Sequence, residues 1–122
     1  MQTLSVGQAA RETGVSVDTL RYYEREDLLR VERSSSGHRR YYDRDLEWIR
    51  ILTCLRDTGM PIRRMREFAA LVRGDESNLA ERVRLLEAHR EEVCLQLRVT
   101  AGNLEHLEGK LAYYRNCLPK TT

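Results

Sequence analysis

The longest regular pattern in the chain is a set of heptad positions that begins at Leu79 and ends at Leu118. Their spacing alternates between four and three residues, and Arg90 and Thr100 are the polar members, so we predict one long helix with an apolar stripe. A helix of about 40 residues is roughly 60 Å long, and a domain of about 75 residues cannot cover its stripe. We therefore expect a second copy of the chain to cover it. The predicted dimer contacts are Leu79, Val83, Leu86, Val93, Leu97, Leu104, Leu107, Leu111 and Tyr114.

Shorter patterns in the first part of the chain predict two short helices. Ser5 begins a capping box that opens a first helix, and Gly14 stands where that helix should end. Ser16 can cap a second helix, on which Leu20 and Tyr23 are three residues apart and can both point inward. Two short helices joined by a tight turn predict a helix-turn-helix, whose second helix enters the major groove of DNA.

A β-hairpin is predicted after the second helix. Extended segments at 30–33 and 38–42 are separated by the turn sequence SSSG. Arginine forks and tyrosine hydroxyls on the helix and hairpin can donate to phosphate oxygens. Acidic residues in the same stretch dilute its charge, so an ordinary solvated surface is the alternative. The residues predicted to contact DNA here are Ser16, Thr19, Arg21, Tyr22, Tyr23, Arg33, Arg39 and Tyr41.

Two further helices are predicted between the hairpin and the long helix. Asp43 can cap a helix through about residue 56, and Pro61 suits the first position of another that ends at Gly74. The positive end of the latter helix, with Arg63, is a further candidate phosphate contact. Cys54 lies outside the apolar face of the former. The predicted apolar faces are Trp48, Ile51, Leu52 and Leu55, with Ile49 at the edge, and Met65, Phe68, Ala69 and Val72.

Composition narrows the class of protein. The 122 residues are 41% hydrophobic and 33% charged, but the net charge of +2 is too small for a general polyanion binder. No apolar run approaches the roughly 18 residues of a membrane span and no signal peptide is evident, so we expect a cytoplasmic protein. Three cysteines without a C-x-x-C pair favour reduced thiols and predict no metal site. No phosphate-binding glycine loop or catalytic-triad spacing is present, which disfavours an enzyme, and no cofactor is expected.

Three motifs in order, TLRYYE at 19–24, DLL at 27–29 and SGHRRY at 36–41, resemble the MerR family of bacterial transcription regulators. The resemblance implies a mostly α fold. It comprises a winged helix-turn-helix DNA-binding domain with a two-helix connector over 1–74, and a dimerisation helix over 75–122 that pairs as an antiparallel coiled coil. It further implies a homodimer that binds double-stranded operator DNA, distorts the promoter and acts with RNA polymerase. The cysteine ligands of the family's metal sensors are missing.

The setting of Cys54, in the segment ILTCLRDTG, resembles the aldehyde- and thiol-stress-responsive branch of that family. The resemblance implies a thiol that reacts with electrophiles such as formaldehyde. Arg50 can favour the reactive thiolate, whereas Glu47 and Asp57 oppose it. An unreactive helix residue fits this position equally well. Three functions stay open: a DNA-binding regulator switched at Cys54, one without thiol sensing, and a thiol-based redox protein that does not bind DNA.

Overall fold

The computed structural model describes residues 2–120 as two compact units, one up to Val83 and one from Arg84 onward. The chain is mostly helical, as predicted. The elements are α1 Val6–Thr13, α2 Val17–Arg25, β1 Glu32–Arg33, β2 Arg39–Arg40, α3 Asp43–Asp57, α4 Ile62–Arg73 and α5 Leu79–Cys117, with a 3₁₀ turn at Glu76–Asn78. The predicted functional division after residue 74 lies at the end of α4, and it stays a prediction.

The helix-turn-helix is specified by local hydrogen bonds. The Ser5 hydroxyl accepts from the Gln8 amide at 3.2 Å, and the Ser5 amide donates to the Gln8 side chain at 2.9 Å, which confirms the capping box. Gly14 ends α1 in the left-handed region at φ 71°, a conformation that glycine adopts without steric cost. The Ser16 hydroxyl then accepts from the Thr19 amide at 3.0 Å, which confirms the predicted cap of α2.

The predicted hairpin forms as a short antiparallel pair, in which Glu32 faces Arg40 and Arg33 faces Arg39. Its turn closes through the Ser34 amide, which donates to the His38 carbonyl at 2.7 Å, and through Gly37 at φ 87°. Beyond β2, the backbone of Tyr41 pairs with that of Leu4 through two hydrogen bonds of 2.8 and 2.9 Å. The hairpin is thereby attached to the segment that leads into α1.

The core of the first unit is centred on α3, which packs against both α1 and α4. Its buried residues correct the predicted face. Ile49, predicted at the edge, is fully buried, whereas Trp48 and Ile51 are only half-buried. The cause is that α3 is covered on two sides, so no single stripe contains its core residues. The Trp48 ring stacks on Phe68 at 5.6 Å between centroids. The buried α3 residues are Leu46, Ile49, Leu52 and Leu55.

Two smaller corrections concern α4. Pro61 is its N-cap residue rather than its first helical residue, and the helix begins at Ile62. Met65, Phe68 and Ala69 are buried as the apolar pattern predicted, but Val72 is exposed. The last turn of α4 therefore contributes less to the core than its sequence suggested.

The second unit consists of the remainder of α5 and the residues that follow it. None of the residues of this helix is buried. The absence of a core is the main physical fact about α5, because exposed apolar residues in regular array normally mark an interaction surface. Among residues 2–120, no helix is both long enough and apolar enough to cross a membrane.

Candidate nucleic-acid interface

The outer face of α2 presents polar and aromatic side chains to solvent. Arg21 is exposed and lies 3.6 Å from the carboxylate of Asp18. Tyr22 is 37% exposed, with the Arg25 guanidinium 6.0 Å from its ring centroid. Thr19 is half-buried and accepts from the Ser16 hydroxyl at 2.9 Å. Four of the predicted DNA contacts, Ser16, Thr19, Arg21 and Tyr22, are thus brought together on one short helix.

Tyr23 is 0% exposed, and its burial contradicts the prediction that its hydroxyl contacts DNA. The hydroxyl of Thr53 donates to the Ile49 carbonyl at 2.8 Å, so the Tyr23 hydroxyl, 3.2 Å away, must donate to Thr53. This hydrogen bond joins α2 to α3 inside the domain. The inward placement of Tyr23 had been indicated by its spacing from Leu20, which is also fully buried.

Tyr41 is a second correction, because it is 1% exposed and packs in the core behind the hairpin. Its ring is therefore enclosed by the domain and not displayed on the surface. Burial, and to a lesser extent the negative charge of Glu24, raises the pKa of the Tyr41 phenol above its ordinary value. The burial of the ring indicates that Tyr41 stabilises the domain.

An ion pair attaches the hairpin to α2. The Arg39 Nε atom donates to both carboxylate oxygens of Glu24, at 2.9 and 2.7 Å. Both side chains are partly buried, so the pair is less screened by water than a surface pair. Arg39 was predicted as a phosphate contact, and the structure shows a role in fixing the hairpin against the helix. The two elements that carry most of the predicted DNA contacts are consequently held together.

The outer edge of the hairpin carries two exposed arginines. Arg33 donates to the Gly37 carbonyl at 3.2 Å across the turn. Arg40 is exposed beside Glu32, its partner in the strand pairing, and it was missing from the predicted DNA contacts. Alternation of side chains along a strand could have identified it, since Arg39 and Arg40 must point to opposite faces. Arg33 and Arg40 therefore lie on opposite faces of the hairpin, and Arg40 shares its face with Glu32.

Arg63 lies in the first turn of α4 and is exposed. Pro61 caps that helix without a side-chain hydrogen bond. The free backbone donors and the positive end of the helix dipole, together with Arg63, therefore remain suited to an anion such as a phosphate. This is the same chemistry that the sequence predicted, at a place separate in the chain from α2 and the hairpin.

Cys54 is exposed on α3, on the side that also carries Glu47, Arg50 and Asp57, as the periodicity predicted. Arg50 donates to Glu47 at 3.4 Å and to the Glu12 carbonyl at 3.5 Å. The arginine expected to favour the thiolate is therefore engaged by other acceptors. The structure gives the Cys54 thiol access to solvent.

The apolar stripe of α5 is exposed in the single chain. Leu79, Val83, Leu97, Leu104, Leu107, Leu111 and Tyr114 have between 43% and 66% of their surface exposed, while Leu86 and Val93 are half-buried. Leu95, Val99 and Tyr113 are also exposed and lie outside the stripe. The surface available for association is thus wider than the predicted seam.

Comparison with known proteins identifies the family. Residues 4–71 match the family described as "MerR HTH family regulatory protein". An HTH-type transcriptional regulator of Haemophilus influenzae is 37% identical, over 93% of this chain and 84% of that protein. The regulator AdhR of Bacillus subtilis is 33% identical, over 72% of this chain and 64% of AdhR.

A solved structure extends this likeness to the fold. The crystal structure of HiNmlR, described as a MerR family regulator lacking the sensor domain and bound to promoter DNA, is similar with a TM-score of 0.87 and 36% identity. The match covers 94% of this chain and 92% of that one. These relatives are transcription regulators, which rejects the enzyme alternative. The chain belongs to the MerR family of helix-turn-helix transcription regulators, which bind promoter DNA.

Proposed function

We propose that the protein acts as a homodimer that reads a two-fold operator and distorts the promoter DNA between its two halves. The observation that carries the proposal is α5, a helix of 39 residues with no buried residue and a largely exposed stripe of mostly apolar residues. A surface of that kind gains free energy when a second copy removes it from water. One such helix per chain requires one partner chain.

The heptad positions fit an antiparallel pairing along their full length. With the helices centred on each other, Leu79 lies opposite the partner's Leu118, and Leu97 lies opposite the partner's Thr100. Each heptad position then meets a heptad position of the partner, so no apolar residue of the stripe is left without cover. The antiparallel direction itself comes from the family resemblance.

The proposed contacts with DNA divide by chemistry. Thr19, Arg21 and Tyr22 on α2 are suited to base edges in the major groove, with Ser16 at the start of the helix. Arg33 on the hairpin and Arg63 on α4 are suited to phosphates, which position the protein without reading sequence. Tyr23 and Tyr41 are removed from the predicted set because they are buried, and Arg40 is added because it is exposed.

Distortion of the promoter follows from the use of two reading units in one dimer. The protein fixes the separation of its two α2 helices, whereas B-DNA repeats its major groove about every 34–36 Å. Where these lengths differ the DNA must bend or untwist, and the cost depends on the sequence being deformed. A regulator that sets DNA shape can then act on the same promoter as RNA polymerase.

Switching at Cys54 is a second proposal, which rests on the exposure of the thiol. An adduct at Cys54 could alter α3 and hence the unit that carries α2. Cys54→Ser should bind the operator as the wild type does but lose the transcriptional response to formaldehyde. Cys94→Ser and Cys117→Ser should keep that response. An unchanged response in Cys54→Ser would reject the switch and leave DNA binding intact.

Footprinting on the DNA upstream of the protein's own gene tests the main proposal. A homodimer should protect two inverted half-sites and make the base pairs between them hypersensitive to cleavage. The double variant Arg21→Ala with Arg33→Ala should abolish the footprint at the same protein concentration, whereas Arg84→Lys, outside the heptad positions of α5, should leave it unchanged. Protection of one unpaired half-site by the wild type would contradict the dimer.

A further inference from the structure

The turn that ends α2 has an unusual backbone conformation. Asp27 has φ 58°, and within residues 2–120 it is the one non-glycine residue with a positive φ. The turn redirects the chain so that Leu28 and Leu29, both buried, follow directly after α2. Their amides both donate to the Tyr23 carbonyl, at 2.9 and 3.2 Å. The direction of α2 is therefore tied to the geometry of this turn.

Two arginines of α4 contact this turn, although they lie 40 and 46 residues later in the chain. Arg73 donates to the Asp27 carbonyl at 2.6 Å and lies 3.6 Å from the Asp27 carboxylate. Arg66 donates to the Glu26 carbonyl at 3.3 Å and also pairs with the Glu26 carboxylate. Because Arg66 and Arg73 are seven residues apart, they lie on the same side of α4. Each arginine thus binds both the backbone and the side chain of one turn residue.

Arg30 provides an internal comparison at the same carboxylate. It holds Asp27 with two hydrogen bonds of 3.0 and 3.1 Å, but it lies only three residues away in the chain. Its hydrogen bond, with a smaller contribution from Arg73, lowers the pKa of the Asp27 carboxyl group, so the group is charged at neutral pH. Arg30 stabilises the turn locally, whereas Arg73 connects it to α4.

Other polar contacts join the end of α4 to the start of α5. Arg73 is the last residue of α4, and the Asn78 side chain donates to the Leu71 carbonyl at 2.8 Å. Arg82, in the first turns of α5, donates to the Asn78 side chain at 2.7 Å. These residues all belong to the first compact unit. Polar contacts therefore run from the end of α2, through α4, to the start of α5.

We propose that Arg66 and Arg73 are positioning residues for sequence reading: they hold the C-terminal end of α2 against α4 and so set the orientation of the recognition helix. The inference rests on the proposed function, in which α2 reads base edges. Bidentate contacts with bases need accurate placement, whereas phosphate contacts tolerate small rotations of the helix. A loosened α2 should consequently lose discrimination between sequences and keep general affinity for DNA.

The test replaces both arginines by lysine. Arg66→Lys with Arg73→Lys keeps the charge of the protein but removes the planar fork that can bind a carbonyl and a carboxylate together. The probes are a duplex selected from random DNA by the wild type and a scrambled duplex of the same composition. We expect the ratio of the two affinities to fall about tenfold, an effect in the range of a mismatched base pair. Affinity for the scrambled duplex and the melting temperature should change little.

Arg30→Lys is the matched control, since it weakens a contact with the same carboxylate without affecting the connection to α4. Its affinity ratio should stay within about twofold of the wild type. If the double variant folds poorly, the single variant Arg73→Lys takes its place. Its affinity ratio should also fall below that of the wild type. An unchanged ratio in folded Arg73→Lys, or an equal loss in Arg30→Lys, would overturn the positioning role. A wild type that selects no sequence would instead reject the proposed function itself.

Discussion

The first unit and α5 differ in what they bury. The first unit closes around its own core, in which Leu20, Tyr23 and Ile49 have no exposed surface. The helix α5 is longer than any other element, yet none of its residues is buried. Contacts within one chain therefore account for the stability of the first unit but not for that of α5. The difference supports the proposal that the DNA-binding surface folds within one chain, whereas the pairing of two such surfaces on an operator depends on a second chain.

The largest expected effect is the loss of dimerisation when the apolar stripe of α5 is substituted. Leu97→Asp with Leu104→Asp would place carboxylates in the proposed apolar seam, and burying unpaired charge costs several kcal/mol for each group. The variant should be monomeric, lose helical circular dichroism and bind the operator weakly, while the core of the first unit stays folded. As a control, Glu105→Gln changes charge outside the stripe and should behave as the wild type. Dimerisation retained by the double variant would contradict the seam.

A substitution in the core of the first unit should lower the stability of that unit and leave self-association unchanged. Leu52 is fully buried on α3, so Leu52→Ala should lower the free energy of unfolding of the first unit by about 2–5 kcal/mol. Urea titration followed by Trp48 fluorescence would measure this loss, because that ring stacks on Phe68 in the same core. At urea concentrations that leave the first unit folded, self-association should be unchanged. If Leu52→Ala weakened self-association as much as it destabilised the first unit, the two regions would not be independent.

Arg33→Ala should affect DNA binding without affecting either fold. Loss of one phosphate contact should weaken binding to operator and unrelated DNA alike and reduce the slope of log affinity against log salt by about 1. Filter binding between about 50 and about 200 mM salt would measure the slope. Thr19→Ala is the contrasting variant, since it should change operator preference more than the slope. An unchanged slope in Arg33→Ala would remove Arg33 from the interface.

The smallest expected effect is a loss of stability of the first unit at alkaline pH. Because the pKa of Tyr41 is raised in the folded state, its contribution to stability is fully present below the unfolded value near 10 and is lost as pH rises through the folded value. Urea midpoints of the wild type should therefore change little up to about pH 9.5 and fall above about pH 10. Tyr41→Phe should fall less, and Tyr22→Phe, at an exposed site, should fall as the wild type does. If the urea midpoint of Tyr41→Phe fell as much as that of the wild type, the loss of stability at alkaline pH would not come from the Tyr41 phenol.

The sequence predicted features whose causes are local. Ser5, Gly14 and Ser16 define helix ends through residues within one turn, and the structure confirms each of them. The long helix was likewise predictable from its heptad spacing. Tyr23 shows where two kinds of prediction conflict: its spacing from Leu20 indicated an inward position, while its hydroxyl suggested phosphate binding. Periodicity was the better guide, because burial of an aromatic ring outweighs an optional hydrogen bond.

The remaining features depend on contacts between distant residues. The two-sided burial of α3 could be predicted only with knowledge of both α1 and α4, so the predicted face placed Ile49 at its edge and omitted Leu46. Arg66 and Arg73 contact a turn about forty residues earlier, and nothing near them in the chain indicates it. Arginine side chains on a helix surface look the same in sequence whether they bind phosphate, water or another turn. The positions of such residues are settled only by the tertiary fold.

The central claim is that two chains act together on one operator, and sedimentation equilibrium of the wild-type protein tests it most directly. At micromolar concentration the free protein should have the mass of two chains. With an equimolar amount of selected operator duplex, the complex should have the mass of two chains and one duplex. A free protein with the mass of one chain, together with a complex of one chain and one duplex, would contradict the claim.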